Sequence, residues 1–198
     1  MKDLSPNPGA DATPAVVWLY TPADEKAMRA CDTNIFRNER IGIALKKFRC
    51  YRVNIEEIDS REIREEYLRA APSFLFFDPA GDQTAHLTGR KAMSLSGFSS
   101  VVGKTWNLSF TVKLKPYTKD MTNILDRLDK VNGRTQILEQ SRARLDSKPN
   151  ARKKRKLQAE AETLRAKKET IVEDEQEILA SVELRSKYRP AEQASLDR

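Results

Sequence analysis

The chain has 198 residues, with 36 Lys and Arg against 29 Asp and Glu, two cysteines and one histidine; this is enough for one domain with an extension, or for two small domains. So few thiols and imidazoles supply no zinc-type ligand spacing and no disulfide framework, so neither metal nor cofactor is expected. No apolar run approaches the roughly 20 residues of a membrane span. The opening MKDLSPNPGADATPA also lacks the basic start and apolar centre of an export signal, so the expectation is a soluble, cytoplasmic protein without a membrane partner.

Residues 1–14, rich in Pro, Asp and Gly, read as a disordered lead-in. AVVWLYT, residues 15–21, is short, β-branched and aromatic, and predicts a buried strand. A helical pattern follows, with Met28, Cys31, Ile35, Ile41, Ile43, Ala44 and Phe48 on its apolar face and a bend near Asn38 to Ile41. RCYRVNIEE predicts a second strand with Cys50, Val53 and Ile55 as burial candidates. SREIREEYL predicts a helix capped by Ser60, with Ile63 and Leu68 on one face.

Pro72 then opens a third strand over Phe74 to Phe77, and the turn chemistry of Asp78, Pro79 and Gly81 leads into a fourth, QTAHLTG. LTGRK, residues 87–91, is expected to turn. SLSGFSSVVGKTWNLSF closes the region as a helix covering the sheet.

This order resembles the thioredoxin fold over about residues 15–105. The family's third strand is preceded by a loop proline, usually cis, beside the active site, and the matching residue is Pro72. The resemblance extends to the F-x-N of Phe36 to Asn38 and to the Pro-Ser-x-x-F-x-D-x-x-G of Pro72 to Gly81. Aligned on Phe36, Glu25 and Met28 stand where the family carries its two redox cysteines. Cys31 falls on the family's buried methionine, and Ser73 replaces a threonine.

The family's chemistry needs a thiolate at a helix start, activated by unsatisfied N–H groups, and a resolving thiol one turn later. Glu25 cannot attack a disulfide, and Met28 cannot resolve one. Cys31 is the one thiol nearby and the weak catalytic candidate; it would lie about 9 Å further along the helix, at 1.5 Å per residue. A packing or structural role is the simpler reading for Cys31 and Cys50, and a solvated or packing role for His86. No nucleophile elbow, phosphate loop or H-E-x-x-H motif is present.

From residue 114 the composition turns to charged residues with Leu, Ile, Gln and Ala. Met121, Ile124, Leu128, Val131, Thr135, Leu138, Arg142 and Leu145 alternate at spacings of three and four, as do Leu157, Ala161, Leu164, Lys168, Ile171, Glu175, Ile178 and Val182. Folded at Pro149, the two seams pair Val131 with Ile171 and Leu138 with Leu164 in one antiparallel register. Asn132-Gly133 is a possible stop. The expected architecture is α/β: a three-layer thioredoxin-like domain over 15–113, an antiparallel α-helical coiled-coil hairpin over 114–186, and a flexible tail over 187–198.

Basic charge concentrates at the hairpin tip, where Lys153, Lys154, Arg155 and Lys156 fall in ARKKRK. These four could meet phosphates or an acidic protein patch, or simply solvate a helix start.

Three functions follow as expectations. The first is a redox-inactive thioredoxin-like adaptor using its arm to dock a protein partner or to form a homo-oligomer. The second is a single-cysteine thiol oxidoreductase working through Cys31. The third is nucleic-acid or ribonucleoprotein binding at the basic tip, disfavoured because no aromatic residues interleave to stack bases.

Overall fold

A computed structural model describes residues 12–146 and 150–188. Most of the expected lead-in, the turn at Ser147 to Pro149 and the chain beyond 188 lie outside the described residues. Two compact units result, one of residues up to Thr118 together with those from Glu183 onward, the other of Lys119–Val182.

The first unit is built on strands β1 (Ala15–Tyr20), β2 (Arg49–Asn54), β3 (Ser73–Phe77) and β4 (Gln83–Thr88). Their order across the sheet is β2-β1-β3-β4. β2 runs parallel to β1, as a helical crossover requires, and β3 runs antiparallel to both β1 and β4. Helices α1 (Glu25–Cys31) and α2 (Glu39–Leu45) join β1 to β2, and α3 (Arg61–Ala70) joins β2 to β3. A short α4 (Gly89–Ala92) and a long α5 (Leu95–Ser109) follow β4. This is a thioredoxin-like mixed sheet with helices, and the Ala71–Pro72 bond is cis.

Polar side chains set the helix starts. Asp24, Asn38, Ser60 and Ser94 accept from the backbone N–H groups of Ala27, Ile41, Ile63 and Gly97 and open α1, α2, α3 and α5. The irregularity begins earlier than the expected Asn38 to Ile41, with a π-type turn over Asp32–Phe36, and Asn38 then caps α2. Gly81 holds φ 89° in the hairpin between β3 and β4, a conformation costly to a residue with a Cβ.

Alternation along the strands sends Val17, Leu19, Leu75 and Phe77 to one face, where Ile55 and Tyr67 complete a buried cluster. On the opposite face, Phe98 of α5 meets Phe74 and Phe76 edge-on or tilted, with ring centroids 4.8 and 5.4 Å apart.

Three local expectations change. Leu68 is 43% exposed and Tyr67, one position earlier, takes the buried place; Ile63 packs there as expected. Cys50 is exposed, because β2 lies at the edge of the sheet. The LTGRK stretch is shared between the end of β4 and α4.

This unit extends past residue 113. Trp106 donates from Nε1 to Val112 O at 2.7 Å and stacks on Tyr117 with centroids 4.8 Å apart. The chain then returns at Glu183: Thr111 N donates to Glu183 O and Arg185 N to Ser109 O, both at 2.9 Å. Phe110 bridges to Leu184. Tyr188 donates its hydroxyl to Asp78 Oδ2 at 2.6 Å. Residues 183–186, assigned on sequence to the arm, and Lys187 and Tyr188, assigned to a tail, thus belong to the sheet unit.

The second unit comprises most of α6 (Leu114–Asp146) and α7 (Ala151–Ser181). Ile124, Val131, Leu138, Leu164 and Ile171 form one buried cluster, with Leu128, Leu157, Ala161 and Ile178 packed against it. Arg127–Asp174 and Arg134–Glu160 join the two helices, each at 2.6 Å. Asn132-Gly133 does not interrupt α6; a helical glycine costs about 1 kcal/mol, and burial of Val131 and Leu138 on either side outweighs it. Among the described residues no helix is long and apolar enough to cross a membrane.

Candidate functional site

Glu25, which the sequence resemblance aligns with the first redox cysteine, opens α1 just beyond the carboxyl end of β1 and marks the redox-equivalent position. Leu19 pairs with Ser73, which places the cis Pro72 beside the point where the chain leaves β1 for α1. Pro72 O accepts from Gly89 N at 3.3 Å. Ser73 is buried, and its Oγ has no partner among the described residues.

The start of α1 is occupied by carboxylates. Asp24 Oδ1 accepts from Ala27 N at 3.0 Å, taking an N–H group of the kind that stabilises a thiolate. Glu25 pairs with Arg29 at 2.8 Å on the exposed surface, an arrangement contributing well under about 1 kcal/mol. Met28, one turn on, is half-buried. Glu25, Met28 and Pro72 all belong to the sheet unit, and none of them offers a thiol.

Cys31 has 0% exposure. Burial, and secondarily the charge of Asp24, push its thiol from the ordinary 9.0 to about 11. On that value only about one molecule in ten thousand carries the thiolate at neutral pH. Cys50 is free and exposed at the sheet edge, with Sγ turned toward Phe48 O at 3.9 Å; the burial of that atom pushes its thiol up as well.

His86 meets Tyr67 edge-on at 6.2 Å. Its Nε2 has no partner among the described residues. Burial lowers its pKa, against an opposing pull from Glu66. Among the described residues no three His, Cys, Asp or Glu side chains are grouped to hold a metal ion.

Lys153, Lys154, Arg155 and Lys156 lie in the helical unit, exposed on the first turns of α7. Asn150 caps the helix by accepting from Lys153 N at 3.0 Å. Cations at a helix start oppose the macrodipole, so these residues are placed against local helix electrostatics.

One feature escaped the sequence reading. Trp18 of β1, Phe36 and Phe74 pack together, with Trp18 to Phe36 centroids 4.7 Å apart. The Arg52 guanidinium lies 5.1 Å from the Trp18 ring and 4.2 Å from Tyr20. Trp18, Phe36, Phe74 and Arg52, with Cys50 and Tyr51, line a groove of about 270 Å³ beside the edge strand. Pairing of Trp18 with Arg52 was the available signal, but it needed the parallel register, which the sequence does not give.

No family model matches the chain, and no curated protein matches it. Among solved structures it is similar to the solution structure of a thioredoxin from Thermus thermophilus, at 17% identity over 46% of this chain and 72% of that chain, with a TM-score of 0.39. It is also similar to a disulphide isomerase from Xylella fastidiosa Temecula1, at 16% identity over 47% of this chain and 78% of that chain, with a TM-score of 0.37.

Proposed function

We propose that this chain is a redox-inactive thioredoxin-like interaction protein whose helical unit acts as an antiparallel coiled-coil arm, docking a partner protein or a second copy. The observation that carries the reading is the start of α1. On the sequence resemblance Glu25 and Met28 align with the family's two cysteines, Asp24 caps the helix there, and the nearest thiol, Cys31, is sealed and held protonated. Burial also speaks against a single-cysteine enzyme. An insulin-reduction assay with a thiol donor tests this: no turnover above background is expected, and turnover that disappears in Cys31→Ala would overturn the reading.

For the arm, the support is the shared cluster that contains both Val131 and Ile171. Cysteines introduced at those two positions, in a Cys31→Ala, Cys50→Ser background, are expected to crosslink within one chain. Crosslinks formed only between chains would make self-association the role of the arm.

A second reading, polyanion binding at the tip, rests on Lys153, Lys154, Arg155 and Lys156 being exposed without an ion pair among the described residues. It predicts heparin retention that falls with salt and is lost when all four are changed to Glu.

A further inference from the structure

A groove of about 650 Å³ lies within the sheet unit and shares no lining residue with the aromatic groove or with the start of α1. Its apolar lining comes from Ile41 and Ala44 of α2, Val102 of α5 and Leu114. Ile41, Ala44 and Val102 are buried and form a firm base, over which the half-buried Leu114 and the aliphatic stems of the rim side chains present the accessible apolar surface.

Its rim carries Arg40, Lys113, Lys115 and Arg185, and none of the residues lining it is acidic. Arg29, Arg37 and Arg61 each hold a carboxylate at 2.8 Å. Arg40, Lys113 and Lys115 have no ion pair among the described residues, and Arg185 spends its Nε on the backbone oxygen of Asn107 at 2.9 Å, which leaves its charge uncompensated. Four like charges converging on one concave surface raise the local concentration of anions. The sequence brings them together from three separate segments, so no charge run announces the patch.

We propose that this groove binds an acidic segment of a partner protein, with aliphatic side chains seated on Leu114 and the aliphatic stems beside it and carboxylates against Arg40, Lys113, Lys115 and Arg185. The chemistry selects this occupant. An apolar floor wastes a purely ionic ligand, whereas a neutral apolar segment would leave the rim charges without partners. A nucleic acid is disfavoured because no aromatic ring lines the groove to stack a base. The groove is open to solvent along its rim, as suits a chain passing over it rather than an enclosed small molecule. This site goes beyond the adaptor reading, since it requires nothing of the helical arm.

The test is fluorescence anisotropy on the full chain with a labelled peptide alternating Glu and Leu, alongside Gln–Leu and Glu–Ser counterparts. The Glu–Leu peptide is expected to bind, to weaken with salt, and to lose at least about tenfold in affinity to the Arg40→Glu, Lys115→Glu variant. Charge reversal at Lys26 and Arg69, on α1 and α3 outside the groove, should leave binding unchanged. All of these residues are exposed, and circular dichroism checks that each variant is folded. If the first variant is not, Lys113→Glu with Lys115→Glu gives the same reading. The proposal is overturned by failure of the Glu–Leu peptide to bind, by equal binding of either counterpart, or by equal affinity in the groove variants. Displacement of the peptide by labelled oligothymidylate or phosphatidylserine vesicles with higher affinity would also overturn it, assigning the groove to nucleic acid or to lipid.

Discussion

All five residues of β3 are buried, whereas of the 31 residues of α7 only Leu164 and Ile171 are. The strand is covered on both faces, so each of its side chains is fixed by neighbours above and below. The helix rests on one thin stripe and leaves most of its surface to water. A sheet unit of this kind carries its stability in itself, at about 1.5–3 kcal/mol for each large apolar side chain fully buried. The helical unit depends on a few seam residues, and its remaining surface is free to be read by something else.

The largest expected effect lies in the sheet. Phe76→Ala should cost about 3–5 kcal/mol, measured by urea unfolding followed through tryptophan emission. Both tryptophans, Trp18 and Trp106, belong to this unit, so the signal reports on it alone. A loss under about 1 kcal/mol would mean that the core tolerates a cavity and would weaken the contrast with α7.

Second comes a pH effect. The folded-state pKa of Cys31 is raised to about 11 from an ordinary 9.0. The neutral thiol is therefore favoured by folding, and its contribution is complete below pH 9 and lost as the pH rises toward about 11. Over that window wild type should lose about 2–3 kcal/mol more than Cys31→Ala. Parallel pH curves for the two proteins would show that the thiol is not buried.

Ile171→Ala probes the other side of the comparison. It should cost about 2 kcal/mol, seen in the helical circular dichroism, with the tryptophan transition unmoved. A matching shift in tryptophan emission would show that the two units unfold as one and would break the distinction drawn here. Smaller still, Asp24→Ala should destabilise by about 1 kcal/mol through loss of the α1 cap. Tyr188→Phe should cost about 0.5–1.5 kcal/mol through its bond to Asp78. Burial and the hydrogen bond to Asp78 raise the Tyr188 pKa, so the difference between wild type and Tyr188→Phe should shrink above pH 10, where the unfolded phenol ionises.

Local chemistry made much of the sheet unit legible in advance. Ser60 before an apolar repeat, Asp78 and Gly81 in a turn, and a proline set against an unbroken apolar run each carry a physical meaning within a few residues. The exposure of Cys50 and Leu68 was not legible, because it depends on which strand lies at an edge and which face of α3 meets the sheet. The basic groove was hidden for a related reason: Arg40, Lys113 and Arg185 lie far apart in the chain, and their convergence depends on tertiary contacts. For the redox-equivalent position, sequence supplied Glu25, Met28 and Pro72 by alignment. The capping of α1 by Asp24, which occupies the helix start, became visible only with coordinates.

The return of the chain at Glu183 makes the helical unit an insertion rather than an appendage. Its two ends emerge from a body that the backbone bonds from Thr111 to Glu183 and from Arg185 to Ser109 close behind it. A truncation after Lys115 would therefore strip a clasp from the sheet unit along with the arm, and damage seen in such a protein would be misassigned. The informative deletion is an internal excision that links Thr118 to Glu183 through a short flexible spacer and retains Arg185 and Tyr188. The same connectivity means that a single backbone cut between α6 and α7 should yield two fragments that copurify until denaturant separates them.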